Sequence, residues 1–119
     1  MMPADTNHQG TVFGGVILSR IDQAGYLEAR QNGPYRWVTV AMESVKFHAP
    51  VFTGDVVSFL TRTTRLGTTS VGVEVRVVAE RRDTLEEVLV TEAQLTMVAV
   101  DDECQPTPFA QPKPKDTDA

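Results

Sequence analysis

In this 119-residue sequence, adjacent glycines Gly14-Gly15 stand where an entry segment, Asn7-His8-Gln9-Gly10-Thr11-Val12-Phe13, runs into a stretch with helical apolar spacing. Backbone N–H groups at a helix start lack intrahelical partners and carry a partial positive charge, and glycines let a ligand approach them closely. Such a spot can hold a developing oxyanion. The same pair also suits a tight turn or a close packing contact, and on glycines alone that plainer reading is preferred. The spacing does not fit the dinucleotide fingerprint or the phosphate loop, which need a preceding strand and further glycines or a lysine.

Asp22, in the middle of that stretch, is the second candidate. Helical spacing puts it on one face with Leu18, Gly25 and Ala29, an acid in apolar and small company. Aspartate is a poor interior helix residue because its short carboxylate competes for backbone hydrogen bonds. One reading is a half-exposed structural acid paired with Arg20 or Tyr26; the other is a catalytic carboxylate. Taken with the glycines, the second gains weight. A carboxylate about two turns from a glycine-lined helix start is the minimal equipment for hydrolysing an ester or thioester: a base, and donors for the carbonyl oxygen. His8 and His48 are the only histidines, and no serine stands in a nucleophile-elbow pattern.

The elements that must position these residues are legible from periodicity. Val16, Ile17, Ile21, Ala24 and Leu27 predict a helix over 14–32, stopped by Gly33-Pro34. Val71, Val73, Val75 and Val77 alternate with Gly72, Glu74 and Arg76, which predicts a strand over 70–80 with one dry face. Further strands are expected over 37–47, 56–66 and 88–100, the last three forming an antiparallel meander. From Asp101 onward Pro106, Pro108, Pro112 and Pro114 lie among polar residues, so residues 102–119 are expected to form a mobile Pro-rich tail after a domain spanning 1–101. One helix over so many strands leaves little core, which points to dimerisation through the helix side or a sheet edge.

Composition bounds the function. With 41% hydrophobic and 23% charged residues the chain is globular. Its net charge of −5 argues against generic nucleic-acid or anionic-membrane binding, which needs a basic surface. The single cysteine, Cys104, cannot form an internal disulfide and has no metal-ligand spacing around it, so a reducing cytoplasm is expected. The chain has no signal-peptide pattern and no apolar run long enough to span a bilayer.

Several motifs in order carry a resemblance. Pro3-Ala4-Asp5-Thr6-Asn7-His8-Gln9-Gly10, Phe13-Gly14-Gly15 and Ser19-Arg20-Ile21-Asp22-Gln23-Ala24-Gly25 resemble the opening of the hotdog-fold acyl-CoA thioesterases. The runs Val38-Thr39-Val40, Phe47-His48-Ala49-Pro50-Val51, Gly54-Asp55-Val56, Leu66-Gly67-Thr68-Thr69-Ser70 and Val98-Ala99-Val100-Asp101 follow in the same order. The resemblance implies an α+β hotdog fold, a long central helix wrapped by an antiparallel sheet, with a dimer as the minimal unit, active sites at the shared interface, and tetramers or hexamers as larger assemblies. It implies hydrolysis of acyl-CoA to a free acid and coenzyme A, without metal or other cofactor. Asp22 would act as general base or nucleophile, enclosed at the interface. Gly15, with Gly14, would hold the carbonyl oxygen, and Asn7 would orient water or carbonyl. Gly67, Thr68, Thr69 and Ser70 match the turn that touches coenzyme A, although an ordinary hairpin turn explains them equally well.

Phosphate contacts are conceivable from Lys46, Arg62, Arg65, Arg81 and Arg82, with a solvated charge cluster the better reading for most. Phe13, Leu18, Val40 and Phe47 suit either an acyl channel or a core. Family members carry a strand ahead of the Pro3–Asn7 segment, whereas only Met1-Met2 stand here, and Val16 replaces a bulky aromatic found in many of them. Two rivals remain: a hotdog domain that binds acyl-CoA without cleaving it, and a dehydratase using His8.

Overall fold

Helix α1, Gly14–Arg30, buries one row, Ile17, Ile21, Gly25 and Ala29, spaced at i, i+4 so that all four point the same way. The computed structural model describes residues 14–109. Gly25 is what lets the helix lie close to the sheet: a Cβ there would stand 2.8 Å from Leu95 Cδ2. The helix ends in i→i−3 bonds from Gln31, Asn32 and Gly33 to Glu28, Ala29 and Arg30. At Gly33 the backbone turns at φ +146°, a conformation that favours glycine.

Four strands follow: β1 Arg36–Phe47, β2 Val56–Leu66, β3 Ser70–Glu80 and β4 Glu87–Val100. All pairings are antiparallel in the order β1-β4-β3-β2, so β2, β3 and β4 form the expected meander and β1 closes against β4. The period-two pattern decides the faces. Val71, Val73, Val75, Val77 and Ala79 of β3, with Ala93, Leu95, Met97 and Ala99 of β4, form the dry side under α1. The opposite side is polar, where Glu74 takes Arg62 Nε at 2.9 Å and Gln94 Nε2 at 3.2 Å. Glu28 ties the helix to β2, accepting from Thr61 Oγ1 and Thr63 Oγ1, each at 2.8 Å. One helix packed on the dry side of a four-stranded antiparallel sheet is the α+β arrangement that the hotdog resemblance implies.

The mobile-tail expectation for residues 102–119 differs from the structure over 102–109; residues 110–119 lie outside the described range. Asp101 Oδ1 accepts the amides of Glu103 and Gln105, turning the chain back on itself. Val100 bridges Pro106, Thr107 N donates to Ala99 O at 2.9 Å, and Phe109 N donates to Thr68 O at 3.2 Å. Phe109 is buried, its ring 5.2 Å from that of Trp37. A proline-rich polar segment showed no periodicity because one aromatic, not a repeating face, anchors it.

Candidate active site

Asp22 leaves α1 one residue after the buried Ile21, which rotates its carboxylate off the core row to the helix flank facing β1. There Thr39 Oγ1 donates to Asp22 Oδ1 at 2.6 Å. Thr39 Oγ1 also lies 3.4 Å from Met97 Sδ, so the threonine is held between the acid and the core. Asp22 is exposed within the single chain, in contrast to the enclosed acid expected, because the core needs only the row at 17, 21, 25 and 29. It does not stand in open solvent. The carboxylate lines a groove of about 570 Å³ with Gln23, Tyr26, Leu27, Trp37, Val38, Thr39 and Met97, predominantly apolar walls.

Sequence reasoning named Arg20 and Tyr26 as structural partners for this acid and gave Thr39 no role. The signal was present: Thr39 alternates with Val38 and Val40, so a polar side chain falls on the helix-facing side of β1. What period two does not show is which helix residue lies opposite.

Gly14 and Gly15 open α1, as expected, but far from Asp22. Seven residues separate Gly15 from Asp22, about 10 Å at 1.5 Å per residue. A Cβ on Gly14 would touch the Phe47 ring at 3.6 Å, whereas no described residue lies within 4 Å of one on Gly15. The helix start borders a second pocket, about 350 Å³, with Ile17, Phe47, His48, Val51 and Thr91. Asn7 and His8 lie outside the described residues, as does Phe13.

The Gly67–Ser70 turn joins β2 to β3, closed by Gly67 N donating to Ser70 O at 2.8 Å. Register places it at the Asp22 end of the sheet. Leu66 pairs with Val71, Val71 with Met97 and Met97 with Thr39, so the turn begins one residue past the row that holds the partner of Asp22. Three interstrand steps of about 4.8 Å span that row, roughly 14 Å. The carbonyls of Thr68 and Thr69 are occupied by Phe109 N and Ala99 N, while the Thr68 side chain is exposed.

The basic candidates separate. Arg81 is committed to Asp55 at 2.6 Å, to Pro50 O at 3.1 Å and to the Phe52 ring face at 4.9 Å, which fixes the 50–55 turn. Arg62 pairs with Glu74. Arg65, exposed, reaches Ser70 Oγ at 3.4 Å beside the Gly67 turn. Leu18 is half-buried against the core, while Val40 and Phe47 are largely exposed. His48 Nε2 lies 2.8 Å from Glu92 Oε2. Among the described residues no group of three His, Cys, Asp or Glu side chains could hold a metal ion, and no helix is long and apolar enough to cross a membrane.

Comparison with known proteins agrees with this geometry. Residues 9–86 match the Thioesterase superfamily. The Escherichia coli K12 acyl-CoA thioester hydrolase YciA is 39% identical over 108 residues, covering 88% of this chain and 82% of that protein. Cj0915, a hexameric hotdog fold thioesterase of Campylobacter jejuni, superposes with a TM-score of 0.85 at 43% identity, covering 92% of this chain and 84% of that one. An acyl-CoA hydrolase from Staphylococcus aureus, solved with butyryl coenzyme A and coenzyme A, gives 0.84 at 31% identity, covering 97% and 70%. On that match, and on the identity and coverage of these relatives, the chain belongs to the thioesterase superfamily and is a hotdog-fold acyl-CoA thioester hydrolase.

Proposed function

We propose that Asp22 is the general base of acyl-CoA hydrolysis in this chain. The observation that carries the assignment is the 2.6 Å bond from Thr39 Oγ1 to Asp22 Oδ1 on the wall of an apolar groove. One carboxylate oxygen is fixed by the hydroxyl, which leaves Oδ2 to take a proton from water. The water oxygen attacks the thioester carbonyl carbon; the tetrahedral oxyanion collapses, the C–S bond breaks, and the coenzyme A thiolate leaves and is protonated. A positioned base of this kind contributes about 10²–10⁴-fold.

The oxyanion needs donors, and the amide of Gly15, with Gly14, supplies them in this reading. Their distance from Asp22 within one helix exceeds what a single carbonyl can bridge, so the donor comes from a second copy of the chain. Asn7 is assigned to orient the water or the carbonyl. The protein is a homo-oligomer acting on acyl-CoA; we assign the hexamer, the state in which Cj0915 is described. Val40, exposed on the edge strand β1, supplies apolar surface for the contact. The Gly67–Ser70 turn and Arg65 are assigned to the coenzyme A portion, on their place at the Asp22 end of the sheet. Free, exposed Cys104 suits a reducing cytoplasm.

The test is thiol release from a panel of short, long and aromatic acyl-CoAs. Asp22→Asn keeps the shape of the side chain, so it should fold normally and lose at least about 10²-fold in kcat. Undiminished turnover in the purified variant removes Asp22 from the chemistry. Intact acyl-CoA with saturable binding to the unaltered protein would instead make the domain a binder.

A further inference from the structure

Trp37, itself buried, lines the Asp22 groove with Leu27, Val38 and Met97 and packs against Phe109, ring centroids 5.2 Å apart at an interplanar angle of 66°. Tyr35 meets the Trp37 ring edge-on at 6.2 Å, and Trp37 Nε1 donates to Gly33 O at 3.1 Å, so the indole is held by a ring and a hydrogen bond. Phe109 is the second ring that holds it. It arrives by the returning segment after β4 and is pinned by its own amide to Thr68 O. One buried ring therefore joins the Gly67–Ser70 turn to the wall of the groove.

We propose that Phe109 is a positioning residue that sets acyl-chain selection by fixing the Trp37 wall. The inference rests on the assignment of the Asp22 groove to the substrate and adds the part of the substrate that Trp37 meets. Its walls are mostly aliphatic and aromatic carbon, which suits an acyl chain rather than the charged nucleotide end of coenzyme A. Aromatic pairs in edge-to-face contact hold orientation as well as area, so removing one ring frees the other to tilt. A tilted Trp37 alters how far a long chain is gripped and leaves a two-carbon acyl group, close to Asp22, unaffected. Hydrophobic pockets discriminate by about 10–200-fold per methylene when their walls are fixed.

The experiment uses the full chain with acetyl-CoA and a medium- to long-chain series. Phe109→Ala should lower kcat/KM for the long substrates by about tenfold, mainly through KM, while kcat for acetyl-CoA stays within about twofold. Phe109→Tyr, which keeps the ring, should restore the parental chain-length profile. Tryptophan fluorescence, reporting the only tryptophan, should show Trp37 more mobile in the alanine variant. A parallel loss on every substrate, or an unchanged profile, overturns the proposal. Should Phe109→Ala not fold, Phe109→Leu takes its place, and an unchanged profile there is equally fatal. Asp22→Asn in the same panel separates the two claims: full activity in that variant sinks the reading of the groove, whereas an inactive Asp22→Asn with an unchanged Phe109→Ala profile sinks only this inference.

Discussion

The two ends of the first half of α1 make opposite provision for the reaction. At Asp22 the chain supplies an acid, a hydroxyl that orients it and an apolar wall, all on elements packed against the same core. At Gly14 and Gly15 it supplies bare backbone: glycines with no side chain, a Gly15 that no described residue crowds, and a smaller pocket in which Thr91 Oγ1 is buried with no hydrogen-bond partner among the described residues. A base and an oxyanion donor must meet one carbonyl from within about 3 Å each. Two helical turns keep them apart in one chain. On the proposed reading, each protomer carries two halves of different sites, and assembly, not folding alone, completes either.

The largest effect should come from breaking the halves separately and then mixing them. Asp22→Asn removes the base, and Gly15→Pro removes an amide donor in the first turn, where proline is tolerated. Each alone should cost about 10²-fold or more in kcat. Random pairing of the two dead chains should recover roughly a quarter of parental activity, since half the dimers are mixed and one of their two sites is whole. No recovery in a confirmed mixed oligomer would mean that both groups serve one site from one chain.

A smaller effect is expected from Thr39→Val, which keeps the β-branched shape and deletes only the hydroxyl. The loss should be about tenfold in kcat, with KM little changed, because a hydrogen bond to an exposed carboxylate orients it without creating it. A KM effect of that size would make Thr39 a substrate contact instead. The smallest catalytic effect should come from Glu28→Ala, on the far flank of α1. It removes the acceptor of both Thr61 and Thr63 of β2, leaving Thr63 Oγ1 only the bond it accepts from Asn32 Nδ2, and should lower unfolding free energy by about 1–3 kcal/mol with kcat/KM near parental. Denaturant melts beside thiol-release rates would check both halves of that statement, and a large rate loss would show that the β2 flank of the helix also feeds the site.

Elements were legible where one residue type repeated. The valines of β3 fixed both its span and its dry face, since alternation leaves no other solution, and the Gly33-Pro34 stop was readable because glycine suits the position just past a helix and proline cannot continue one. Asp22 stood out by being a poor choice for a helix interior unless something compensated. The glycine pair stood out as a helix start open to a ligand. These are local properties, and a sequence states local properties directly.

Contacts between distant segments were not stated in that way. That Thr39 compensates Asp22, that Arg81 is committed to Asp55 and not free for a phosphate, and that Phe109 folds back onto Trp37 depend on which strands pair and in what register. Register is a global solution: every alternating face must be dry at once, so a single pair cannot be read from its own neighbourhood. The sequence by itself chose the helix, the strands and the acid. Only the tertiary structure decided what the acid faces, since that choice belongs to the whole packed sheet.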